Sequence, residues 1–129
     1  MKIPENTRVY ENSTSTYWFR DEVLYLVAKK VKQPDLAVIE AETEELKQRM
    51  GGRTCCAVID VGQSRNSSPL VREHNSQQFP RMFRAIAFIS QSATSRMLAN
   101  IYLGTKPFDL PVKMCISEQE AEEWIKNYR

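Results

Sequence analysis

The run "DVGQSRNSSPLVREH", Asp60 to His74, gathers the residue types of nucleophilic catalysis: a carboxylate at Asp60, hydroxyls at Ser64, Ser67 and Ser68, and the chain's single histidine, His74. A hydrolytic triad is made of these types, but it is recognised by geometry and not by composition. Their spacing argues against a triad. A nucleophile elbow needs a sharp G-x-S-x-G-like turn, and Gly62-Gln63-Ser64-Arg65-Asn66 lacks the second glycine. His74 falls near the middle of a helix, where an imidazole is more often a satisfied surface or interhelical side chain than a base. A hydrolase using Asp60, Ser64 and His74 is the weakest of the functional readings, and the chain is expected not to be an enzyme.

Other chemistries find fewer residues still. A phosphate-cradling loop needs G-x-x-x-x-G-K-S/T, and neither Gly51-Gly52 nor Gly62 begins one. Cys55 and Cys56 are adjacent, so on a strand their side chains point to opposite faces and cannot share a metal ion. Cys115 stands on a separate strand, and one histidine supplies no second ligand of the kind zinc uses. Reduced, buried thiols are expected, with no metal and no cofactor. In the plainest reading of the loop, Ser67 or Ser68 caps a helix and Asp60 ends a strand.

The elements that position this loop follow from local patterns. At 129 residues the chain is expected to be a single domain, with residues 1–15 a loop or frayed arm. "TYWFRDEVLYLVAKK" places two β-rich runs, Thr16 to Arg20 and Val23 to Lys29, around a tight turn. Asp35 to Met50 reads as a helix, acidic early and basic late, with Gly51 as a left-handed stop. Ile39, Thr43, Leu46 and Met50 give it one face to bury. "RTCCAVID" and "AIAFIS" are short, nearly unbroken apolar runs suited to strands buried on both faces. Between them Ser68-Pro69 opens a helix expected to stop near Gln78, before Pro80. A helix over about Ser95 to Leu103, a strand "VKMCI" and a last helix capped by Ser117 and Glu120 complete the chain. Helical crossovers imply parallel strands. The expected class is α/β: a mostly parallel sheet with an N-terminal antiparallel hairpin and about four helices.

The C-terminal half carries a resemblance. "AIAFISQSATSRMLANIYLGTKPFDLPVKMCISEQEAEEWIKNYR" resembles the end of the STAS and SpoIIAA-like superfamily: a buried strand ending in a small-polar loop, a helix carrying Asn100, Lys106-Pro107 with Pro111, and a Ser117 to Ile125 helix. "AVIDVGQ…SSP" and the β-β-α opening are similar to the same group. The resemblance implies a SpoIIAA-like fold and a non-enzymatic regulatory or protein-interaction module; the related CRAL-TRIO fold holds lipids. It also implies a switch or partner surface at Asp60, Ser64, Ser67 and Ser68, where a serine of STAS switches is phosphorylated. The family spacing D-x-S reads Asp60-Val61-Gly62 here, so the matching serine is absent, and Cys115 stands where members often carry Phe.

Bulk properties narrow the partners. Lys and Arg number 18 against 16 Asp and Glu, too balanced to argue for nucleic acid or an anionic membrane. The polar start "MKIPENTRVYENSTST" lacks the apolar centre of a signal peptide, no run nears the ~20 residues of a membrane span, and a cytoplasmic protein without stable membrane insertion is expected. Tyr17, Trp18 and Phe19 cannot all face one side of a sheet, so at least one projects away from the helices, to be covered there or to leave an apolar patch for a homodimer. Phe79, Met82, Phe83 and Phe88 suit core packing or, alternatively, a small cavity for an apolar, lipid-like ligand. The leading reading is a protein-interaction module; the second is a carrier or sensor of such a ligand.

Overall fold

In the computed structural model, which describes residues 1–32, 34–62 and 68–129, the described strands form one six-stranded sheet. They are β1 (Tyr10–Glu11), β2 (Ser15–Arg20), β3 (Val23–Ala28), β4 (Cys55–Asp60), β5 (Phe83–Ile89) and β6 (Val112–Cys115), lying side by side in chain order. The first three pair antiparallel, and β3 to β6 pair parallel. The helices are α1 (Leu36–Met50), α2 (Pro69–Met82), α3 (Ala93–Gly104) and α4 (Glu118–Ile125). The expected α/β class and its N-terminal hairpin are therefore present, with the short β1 added at the edge.

Because each parallel crossover steps to the next strand in the same direction, right-handed connections put α1, α2 and α3 on one face. The alternation of strand side chains divides the core accordingly. Tyr17, Leu24, Ala57, Ile59 and Ile86 pack on the α1–α3 side with Met82. Trp18, Tyr25, Cys56, Val58 and Ala87 pack on the other side with Ala121 and Ile125 of α4. Trp18 is the aromatic that projects away from α1 to α3, and it is covered there: its ring stacks on Tyr25 at 5.8 Å and only 1% of it is exposed. The hairpin leaves no apolar patch at Trp18.

Local signals explain most boundaries. The β2–β3 turn is two residues, Asp21 at φ 52° and Glu22 at φ 64°, the doubly left-handed geometry that matches strand twist. Glycine adopts it without the steric cost that Glu22 bears. Glu22→Gly should raise the unfolding free energy by about 0.5–1 kcal/mol in a denaturant titration, after the entropy glycine adds to the unfolded chain; a loss would mean that the Glu22 side chain contributes more than its backbone costs.

The α4 cap forms as its sequence requires. Ser117 Oγ accepts from the Glu120 N–H at 3.1 Å, while Glu120 Oε2 reaches one residue past the cap, to the Ile116 N–H at 3.2 Å. Ser117→Ala should lower stability by about 1 kcal/mol, and a neutral result would show that Glu120 alone holds this end. One expectation fails: α2 does not stop at Gln78 but runs through Pro80 to Met82. Pro80 sits in the last turn, where it forfeits one bond to Ser76 shortly before the helix would end anyway, and the Phe83 N–H closes the end on the Phe79 carbonyl.

Candidate functional site

Helix α3 fixes where the site lies. It carries Met97, Leu98, Ile101, Tyr102 and Leu103, yet no residue of it is buried. An apolar helix that buries no residue leaves the sheet beside it incompletely covered. The space beneath it is a half-open cavity of about 720 Å³, bounded by α1, α2, α3 and the sheet. That volume falls within the roughly 300–1,000 Å³ of small-molecule pockets.

Each wall comes from one face of one element. Ile39, Glu42, Thr43 and Leu46 of α1 follow helical spacing, as do Arg72, Asn75 and Phe79 of α2 and Ser95, Leu98, Ala99, Tyr102 and Leu103 of α3. The floor is Leu24, Leu26, Ile59, Phe83 and Phe88, with Phe108 from the loop after α3. Phe108 joins the rings: it stacks on Phe79 at 5.4 Å, lies 6.3 Å from Phe88 and meets Tyr102 edge-on at 6.4 Å. Phe79 and Phe83 meet at 5.6 Å.

Of the aromatic group singled out in the sequence, Phe79, Phe83 and Phe88 line the cavity; Met82 is buried in the core instead. The α3 residues, Ile39, Leu46 and Phe108 were not anticipated as wall. For the α3 residues the signal was present in "SRMLANIYLG", which has more apolar residues than one buried stripe needs.

Several polar residues around the cavity are tied to their neighbours. Glu42 accepts from the Ser13 N–H at 3.1 Å, from Ser13 Oγ at 2.6 Å and from Thr14 Oγ1, clamping the β1–β2 turn to α1. Lys29 Nζ donates to the Asn12 carbonyl at 2.8 Å and pairs with Glu11 at 2.7 Å. Thr43 Oγ1 donates to the Ile39 carbonyl at 2.8 Å and lies 3.0 Å from His74 Nε2. His74 is thus an interhelical side chain joining α2 to α1, and no bond among the described residues links it to Asp60.

Asp60 ends β4 in a second, smaller recess of about 320 Å³ shared with Gly62, Gln91 and Ser92. Its carboxylate receives the Met1 ammonium at 2.5 Å and the Gly62 N–H at 3.0 Å. Ser68 is the N-cap of α2, accepting from the Val71 N–H at 3.3 Å. Ser64 and Ser67 lie outside the described residues. The cysteines are free and buried, and burial pushes the Cys55 and Cys115 thiols up to about 11, far from thiolate chemistry. Among the described residues no group of His, Cys, Asp and Glu could hold a metal ion, and no helix is long and apolar enough to cross a membrane.

With this geometry established, comparison with known proteins adds a family and a fold. Residues 17–129 match the model of a family described as a domain of unknown function, DUF7793. The chain belongs to that family. The DUF7793 match covers every helix and the sheet from Tyr17 onward, and so includes most of the cavity wall. A solved structure similar to this DUF7793 chain is an uncharacterised DUF3478-family protein with a SpoIIAA-like fold from Shewanella loihica PV-4. It is 16% identical, with a TM-score of 0.60 over 96% of this chain and 98% of that one. The DUF7793 fold is accordingly SpoIIAA-like, as the sequence resemblance implied. A protein of unknown function from Arthrobacter sp. FB24 is 23% identical over 82% of this chain and 93% of that one, at a TM-score of 0.31. No curated protein matches the DUF7793 chain.

Proposed function

We propose that the protein is a single-domain, non-enzymatic binding module that takes one small, largely apolar molecule into the cavity beneath α3. The single observation that carries this reading is the cavity: about 720 Å³ walled by Leu, Ile and Phe side chains, in a place where α3 would otherwise bury its apolar face. A sheet whose strand order follows the chain has no switch point at which a crevice opens between diverging loops. The space for a ligand lies between the helices and the sheet instead.

Native mass spectrometry of protein isolated gently from its own host tests this. A mass excess that disappears on denaturation, and an organic molecule recovered from the released fraction, support the reading. Protein that emerges without ligand, and takes up no apolar probe afterwards, overturns it.

A second reading, a protein-interaction module that forms a regulatory contact or a homodimer, is favoured by another observation. Met97, Leu98 and Ile101 are 58%, 58% and 66% exposed on α3, with Leu70 of α2 exposed as well. Contiguous exposed apolar side chains commonly mark interfaces. Asp60 and Ser68 belong to this reading as part of a switch surface with Ser64 and Ser67. Peptide mapping that finds phosphate on any of the three serines would favour it.

A further inference from the structure

The cavity is polarised along its length. The helices α1, α2 and α3 all begin at the carboxyl edge of the parallel strands. Along α2 the lining runs from Arg72 in the first turn, through Asn75, to Phe79 in the third. Along α1 it runs from Ile39 through Glu42 and Thr43 to Leu46, and along α3 from Ser95 through Leu98 to Leu103. The strands repeat the order: Lys29 follows the end of β3, while Leu24 and Phe83 lie near the starts of β3 and β5. The polar lining is thus gathered at one end, among apolar residues such as Ile39 and Val61, and the other end is aliphatic and aromatic.

Basic residues outnumber acidic ones at the polar end: Lys29, Lys30, Lys32 and Arg72 stand against Glu11, which pairs with Lys29 at 2.7 Å, Asp35 and Glu42. Lys29, Arg72 and Glu42 are the charged side chains lining the cavity among the described residues. Both Glu42 oxygens are engaged by Ser13 and Thr14. Lys30 and Lys32 are exposed on either side of the lining residue Val31. The first turns of the three helices add partial positive charge at the same edge. Asn75 supplies an amide with no hydrogen-bond partner among the described residues, in the position that orients a ligand in pockets of this kind.

We infer that the ligand is a single-chain amphiphile with an anionic head, its tail against Phe79, Phe83 and Phe108 and its head at the carboxyl edge near Arg72 and Lys29. This rests on the binding-module reading and adds the ligand's charge and direction.

Three probes with one tail separate the two claims: dodecanoate, dodecanol and dodecyltrimethylammonium, titrated calorimetrically below their micelle concentrations into the full chain. Dodecanoate should bind about tenfold more tightly than dodecanol, as one charge-assisted contact gives, and the cation weakest. Lys29→Gln with Arg72→Gln should bring dodecanoate down to dodecanol and leave dodecanol within about twofold of its original affinity. Equal binding of acid and alcohol at one saturable site overturns the anionic head and leaves the cavity reading standing. A preference for the acid that survives the double variant overturns the placement of the head. No saturable binding of any probe overturns both.

Discussion

Replacing Trp18 by alanine should lower the free energy of unfolding by about 3–5 kcal/mol, the range for deleting a large aromatic from a packed core. The ring lies between Tyr25 and the layer formed with α4, and it is nearly inaccessible to solvent. Its indole Nε1 has no hydrogen-bond partner among the described residues. A buried donor left unsatisfied costs stability, so Trp18→Phe removes that penalty along with some volume and should lose under about 2 kcal/mol. Ile101→Ser, on the exposed face of α3, should change stability by no more than about 0.5 kcal/mol. Denaturant titrations of the three variants check this; a large loss for Ile101→Ser would mean that α3 packs in solution more closely than the cavity allows.

The second large effect concerns uptake. Ala99 lines the cavity from the middle of α3, so Ala99→Trp should place an indole in the space a ligand needs. Affinity for dodecanol should fall by more than about tenfold, while stability changes by less than about 1 kcal/mol, since filling a void offsets the strain of a larger side chain. The same variant separates the two functional readings. Contacts made through Met97 and Ile101, which do not line the cavity, use the outer face of α3 and should survive Ala99→Trp. Unchanged dodecanol affinity in the variant would place binding outside the cavity.

The fold was legible wherever one local rule decided the outcome. The unbroken apolar runs of β4 and β5, the serine caps at Ser68 and Ser117, and the Gly51 stop all lie within a residue or two of where their patterns put them. Pro80 misled because one proline costs a helix a single bond, here to Ser76, and can bend the helix without ending it. Strand β1 was missed because two residues, Tyr10 and Glu11, carry no period.

The candidate site was legible only in part. Phe79, Phe83 and Phe88 could be marked as cavity or core, but the choice depends on how far α3 stands from the sheet. No pattern within α3 states that distance. Its apolar residues look the same whether they pack against a floor or roof a space. His74 and Asp60 attracted notice as chemistry and turned out to be joined to Thr43 and to the Met1 ammonium, contacts between segments far apart in the chain.

The most direct measurement is an amide and methyl NMR titration of the full chain with dodecanoate. If the cavity binds the ligand, saturable shifts will concentrate on Ile39, Leu46, Phe79, Phe83, Leu98 and Leu103, and Trp18, Ala121 and Ile125 behind the sheet will stay still. Shifts centred on α4, or non-saturating shifts spread over the surface, would contradict a ligand-binding role for the space beneath α3.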